Sequence, residues 1–201
     1  MTLTRRRFVR LGLALPIPLL FPACTGEETE TDARATLPAT PACTGGDEPT
    51  PEQTEGPFFS PDSPERTSLL EPGIEGTTIV LTGSVLATDC QAASGALLDF
   101  WHADASGEYD NDGYRLRGHQ FADDEGRYRL ETIVPGLYTG RTRHIHVKVQ
   151  APGGDILTTQ LYFPREPRNA SDDLYDARLA MVVRDAGAAQ TAEFDFVLEL
   201  A

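Results

Sequence analysis

Cysteine is scarce in this chain, at three among 201 residues, which excludes a small domain held together by a disulfide framework. Basic side chains are also in short supply. Lys and Arg number 17 against 31 Asp and Glu, a formal charge of −14, and such a surface repels phosphate backbones, so no nucleic-acid partner is expected. Long hydrophobic runs are missing too. The longest, Leu11 to Phe21, is broken only by Gly12, Pro16 and Pro18 and has 11 residues. A membrane-spanning helix takes about 20. No long segment repeats apolar residues with the 3.6-residue helical period, and no internal repeat is visible. What remains is 40% hydrophobic residues, enough for a core and too many for wholesale disorder, in a length that suits one soluble domain of about 100–200 residues.

The N-terminus reads as an address. Arg5, Arg6, Arg7 and Arg10 precede the short apolar run, the layout of a secretory signal over residues 1–23, and Thr4-Arg5-Arg6-Arg7-Phe8-Val9-Arg10 resembles a twin-arginine export motif. Cleavage before Cys24 removes four arginines and no acidic residue, lowering the net charge from −14 to −18. Cys24 is a candidate lipidation site, although Phe21 and Pro22 fit a lipoprotein cleavage box poorly. Residues 24–53 are polar and lack aromatics, so they are expected to form a disordered tether ahead of a domain spanning 54–201. In an exported protein Cys43 and Cys90 form the plausible bonded pair. An exported location, periplasmic or extracellular, follows as the expectation.

Beyond residue 76 short apolar or alternating segments recur between turn signals. Seven candidate strands cover 78–87, 96–103, 127–133, 143–150, 156–163, 178–183 and 193–200, with a short helix at Ser171 to Asp176. Asp112-Gly113, Pro135-Gly136 and Gly153-Gly154 punctuate them. The fold class expected is all-β: a β-sandwich of antiparallel strands with long loops and little helix.

Four histidines are available, and two of them, His144 and His146, stand two apart on a predicted strand and therefore on one face. Such a pair can close on a metal ion or be incidental. His102 and His119 lack this arrangement and read as structural or solvent-facing. No cysteine lies near the pair, which argues against a thiolate zinc site. Where a cupin-like site would place a Glu, Gln150 and Ala151 stand. Tyrosine is nearby instead: Tyr138 after Pro135-Gly136-Leu137, and Tyr109 after Ser106-Gly107-Glu108.

Four stretches together resemble the intradiol ring-cleavage dioxygenases: Thr54-Glu55-Gly56-Pro57-Phe58-Phe59; Leu97 through Trp101-His102 to Tyr109; Pro135-Gly136-Leu137-Tyr138 with Arg141 and His144-Ile145-His146; and Thr159-Gln160-Leu161-Tyr162-Phe163. They span about residues 53–165 in the family's order. The resemblance implies Fe(III) held by Tyr109, Tyr138, His144 and His146 with a hydroxide. It implies Tyr138 as the ligand that leaves and takes a proton from substrate, Arg141 beside the bound ring, and Gln160 lining the site. It further implies a small catechol-type substrate and O2 as partners, with cleavage between the two hydroxyl-bearing carbons to a muconate-type diacid. The charges agree: a ferric ion, two phenolates, one hydroxide and two neutral imidazoles sum to zero, the least costly state for a buried site. Free tyrosine ionises near pH 10, so two phenolate ligands demand a strongly acidic ion. Rival readings of the same residues are a zinc or cupin-like enzyme and a secreted binding module that recognises aromatic or carbohydrate polymers. Residues 24–53 are too polar for the N-terminal helical region of catechol-cleaving members, which leaves the oligomeric state open.

Overall fold

Alternation along two central strands builds the interior. In a computed structural model that describes residues 48–187 and 189–199, the first strand, β1 (Thr78–Ala87), turns Ile79, Leu81, Val85 and Ala87 inward, all 4% exposed or less. It is sheathed on one side by β4 (Arg127–Ile133), antiparallel, with Leu81 opposite Leu130. On the other side lie β8 (Ala189–Glu193) and β9 (Phe196–Leu198), both parallel to it, and β7 (Val182–Ala186) closes the edge against β8. The second sheet runs β3 (Arg117–Phe121), β2 (Leu97–Trp101), β5 (His144–Gln150), β6 (Ile156–Tyr162), all antiparallel. Its inward residues Leu98, Phe100, Ile145, Val147, Val149 and Leu161 are fully buried and meet the first sheet in one apolar layer. The molecule is thus a two-sheet sandwich with two short 3-10 turns, Pro167–Ala170 and Ala177–Leu179.

Period two then dictates what faces outward. With Ile145 and Val147 in the core, His144 and His146 must emerge on the opposite face of the same sheet. Register sets His144 beside Tyr162, and His146 between Gln160 and Trp101. Loops cover this outer face, which is why His144, His146, Gln160 and Tyr162 are all buried despite pointing away from the core.

Several sequence expectations change. Strand β3 escaped notice because Arg117-Gly118-His119-Gln120-Phe121 has no apolar alternation; its buried positions are Arg117, Gly118 and Gln120. The strand expected at 178–183 starts late, at Val182, behind a 3-10 turn, and the one expected at 193–200 is two strands separated by Phe194-Asp195. No helix forms over Ser171 to Asp176, because the Asp172 carboxylate accepts from the amides of Leu174 and Thr142 and bends the chain into a turn. The strands are antiparallel except beside β1. Residues 50–53, read as the end of the tether, are fastened to the sandwich: Thr50 N donates to Val197 O at 2.9 Å and Gln53 N to Thr158 O at 2.8 Å. The export signal, Cys24, Cys43 and the tether as far as residue 47 lie outside the described residues. Cys90 is disulfide-bonded.

One polar tie crosses the core. His102, just past β2 and 1% exposed, faces Thr132 Oγ1 of β4 with Nε2 at 2.6 Å, while its Nδ1 donates to Ala103 O at 2.7 Å. Burial pushes its pKa down to about 4. In the unfolded chain the ring takes up a proton below about pH 6.5, so between those values the unfolded state binds more protons and stability falls as pH drops. Urea denaturation from pH 7 to pH 4 is expected to show that decline, and His102→Asn to flatten its slope by close to one proton.

Candidate active site

Three strands and four loops deliver the functional groups. β5 supplies both imidazoles. His144 Nδ1 lies 2.6 Å from the Thr142 carbonyl, so it carries the hydrogen and leaves Nε2 as a bare lone pair aimed outward. His144 Nε2 is 3.1 Å from His146 Nε2 and 3.2 Å from the Tyr109 hydroxyl. Burial holds both rings neutral, His144 down to about 4 and His146 well below its ordinary value. The indole of Trp101 stacks on His146 at 4.9 Å and 7°, fixing that ring's plane. His146 Nδ1 is buried and has no hydrogen-bond partner among the described residues.

Tyr109 and Tyr138 arrive on separate loops, after β2 and after β4, and two glycines bring those loops together. Gly136 N donates to Asp104 O at 2.7 Å, and a Cβ on Gly136 would sit 2.4 Å from Gly107 N and 2.5 Å from Ala105 O. Gly107 has φ +92°, and a Cβ there would sit 2.4 Å from Leu137 O. Only two residues without side chains permit this backbone-to-backbone approach. The Asp104 carboxylate shapes the turn by accepting from Ser106 N, Ser106 Oγ and Glu108 N. The tyrosine rings stand edge to face at 5.7 Å. Phe58, from the Thr54–Phe59 segment, stacks on Tyr109 at 4.3 Å and meets Tyr138 edge-on at 5.2 Å. Burial raises the Tyr109 phenol well above its ordinary value, so a strong positive charge is needed to ionise it.

Arg141 lies at the far side of the imidazole pair. Asp172, with a side chain 3% exposed, accepts from its Nε at 2.9 and 3.2 Å, and Nη2 donates to Gln160 Oε1 at 2.7 Å. Gln160 is fully buried and its Nε2 donates to Thr54 O at 2.8 Å, tying the Thr54–Phe59 segment to the guanidinium. Tyr162 donates to Leu174 O at 2.7 Å, and burial pushes its pKa up to about 12.

The structure therefore gathers Tyr109, His144 and His146 within hydrogen-bonding distance, holds Tyr138 against Tyr109, and links Arg141 to Gln160. Asp172, Tyr162 and Arg117 went unnoticed in the sequence. Asp172 meets Arg141 and Thr142 from 31 and 30 residues away, and Arg117 meets Phe58 from 59 away, with no local pattern to mark either; Tyr162 stood inside a recognised segment at the same strand phase as Gln160. The donors suit a hard, strongly acidic metal ion. The His144 Nε2 lone pair, freed because Nδ1 is bonded to the Thr142 carbonyl, faces His146 Nε2 and a desolvated phenol, a donor set open to a cation. No trio of His, Cys, Asp and Glu comes together among the described residues, and the groups beside the imidazole pair are the phenols of Tyr109 and, against it, Tyr138.

Residues 54–200 match a family model described as dioxygenase. A chlorocatechol 1,2-dioxygenase of Pseudomonas sp. (strain P51) is 30% identical over 174 residues, 73% of this chain and 69% of the relative. A catechol 1,2-dioxygenase of Pseudomonas sp. (strain EST1001) is also 30% identical, over 67% of this chain, which spans only 53% of that relative's length. Among solved structures, the dioxygenase domain of a dioxygenase carbohydrate-binding protein fusion from the cellulolytic bacterium Streptomyces sp. SirexAA-E superposes with a TM-score of 0.75 at 56% identity, covering 77% of this chain and all of that one.

A methyl at residue 136 has nowhere to go except into the backbone of 105–107. Gly136→Ala is expected to cost roughly 1–3 kcal/mol of stability by overpacking, read by urea denaturation.

Proposed function

The chain belongs to the intradiol ring-cleavage dioxygenase family, and from that premise we propose that it cleaves catechol-type rings between the two hydroxyl-bearing carbons. Both atoms of O2 enter the product, a muconate-type diacid, so the reaction balances without an external reductant. The observation that carries the reading is the convergence of the Tyr109 hydroxyl and the two Nε2 atoms of His144 and His146 at 3.1–3.2 Å, with Tyr138 packed beside them. In this reading Tyr109, Tyr138, His144 and His146 hold Fe(III). The ion, when bound, supplies the Lewis acidity that keeps the phenols ionised and activates a chelated catecholate toward O2.

The protein's own groups divide the remaining work. His144 and His146 stay neutral because burial opposes their protonation, so they bring lone pairs and no added charge. Tyr138, half-buried on the loop after β4, is the proton acceptor for a substrate hydroxyl. Arg141 stabilises negative charge developing on the ring as oxygen attacks, an electrostatic role that depends on a fixed guanidinium. Asp172 and Gln160 fix it from two directions. Phe58, Phe59 and Trp101 form an aromatic wall that excludes water, with Lys148 lying 4.0 Å over the Phe59 ring.

Oxygen uptake with catechol, protocatechuate and hydroxyquinol tests the activity, and the visible spectrum tests the ligands. The expected protein is red-brown from phenolate-to-iron charge transfer; Tyr109→Phe is expected to shift that band and to reduce turnover on the order of 100-fold or more, as loss of a metal ligand entails. A colourless, zinc-loaded, inactive protein would overturn the reading.

The protein is further inferred to work outside the cytoplasm. The Arg5-Arg6-Arg7 motif and the bonded Cys90 support this, since disulfides persist in oxidising compartments. An exported enzyme meets exogenous aromatics, and the Streptomyces relative's fusion to a carbohydrate-binding protein in a cellulolytic organism supports plant- or lignin-derived catechols as substrates. The expected result of a substrate panel is higher kcat/KM for such catechols than for intracellular pathway intermediates; the reverse ranking sinks the inference.

A further inference from the structure

Arg117 opens β3 and is 2% exposed, and among the described residues its guanidinium is held by backbone carbonyls alone. Nε and Nη2 donate to Asp110 O at 3.0 and 2.6 Å, and Nη1 donates to Phe58 O at 2.5 Å. Taking a guanidinium out of water costs several kcal/mol, and a position needed only to fill space would be served by an apolar side chain. The two carbonyls have something in common. Asp110 follows Tyr109 directly, and the Phe58 ring is the one stacked on Tyr109. One planar fork thus grips the backbone behind the phenol and the backbone behind the ring that lies against it.

The approach to Arg117 is itself constrained. Leu116, buried, has φ +57°, a left-handed conformation that costs a residue with a side chain about 1–2 kcal/mol. Arg66 pins this turn from the other side, its Nε donating to Arg117 O at 2.9 Å. The Asp110 carboxylate fastens the intervening loop by accepting from Gly113 N and Arg115 N, both at 2.9 Å. Strain held in place by several independent contacts marks a segment whose position matters more than its local comfort.

We propose that Arg117 is a positioning residue for the metal site: its fork locks the Asp110 and Phe58 carbonyls so that the Tyr109 phenol is held, by its backbone and by its stacking partner, against the two imidazoles. The proposal rests on the reading of Tyr109 as an iron ligand. It assigns Arg117 no contact with substrate. Its positive charge has a second consequence of the same sign, since it opposes the burial that disfavours an anionic oxygen at Tyr109.

The test is a double-mutant cycle on the full chain, with Arg117→Gln alone, Tyr109→Phe alone, and both together. Iron affinity is measured by competition with a chelator, and the charge-transfer band by visible absorption. Arg117→Gln is expected to weaken iron binding by roughly 10–100-fold, the range for groups that orient a metal ligand, and to shift the band. In the Tyr109→Phe background the same change is expected to cost little more. Arg117→Lys keeps the charge and loses the fork, so partial recovery is expected; it carries the same cycle if Arg117→Gln does not fold. An equal loss of affinity in both backgrounds, or a band and affinity unmoved by either Arg117 variant, overturns the proposal. A wild-type protein that takes up no iron overturns the iron reading itself, which separates the two failures.

Discussion

Everything at the outer face of the β3-β2-β5-β6 sheet depends on a conflict between burial and charge. As an iron site of the proposed kind, this face would need anionic oxygens and unprotonated nitrogens in a place from which water is largely excluded. Burial alone satisfies half of this: it keeps His144 and His146 neutral, and it works against ionised Tyr109. The fold answers the other half with fixed positive charge. Arg141 and Arg117 both act on Tyr109 in the required sense. Each is immobilised by acceptors that would be unnecessary on a surface: a buried carboxylate for one, a pair of carbonyls for the other. A metal cation is the remaining positive charge in the scheme.

Much of this architecture was legible in the sequence, for a definable reason. β1, β4, β5 and β6 were readable because their inward residues alternate and the sheet interior enforces the alternation. The His144–His146 pair followed from the same rule, since its period matches the strand. The Gly-bearing tyrosine loops were recognisable as motifs, although what the glycines do emerged only in three dimensions, where Gly107 and Gly136 meet backbone to backbone.

What could not be read was whatever acts at long range. Arg117 looks like one more cation in a polar stretch until the carbonyls of Asp110 and Phe58 are seen around it. Asp172 sits in a segment whose composition suggested a helix, and its side chain is instead consumed by Arg141, Thr142 and Leu174. β3 carries no apolar signature because its buried positions are Arg117, Gly118 and Gln120, with Gln120 Oε1 accepting from Arg129 N of β4 at 3.3 Å. Burial by loops leaves no periodic trace along a strand, so the residues that hold the site groups in place were less visible than the groups themselves.

His144, His146 and Gln160 project from the side of the sheet that faces away from the sandwich interior, while the apolar layer lies on its other side. Two surfaces of one pleated ribbon therefore answer to separate physical demands. A substitution in the layer between the sheets and an exchange of covering loops act on different faces, with β2, β5 and β6 answering to both. Such a division lets a single scaffold change which rings it admits by exchanging loops, at little risk to its ability to fold.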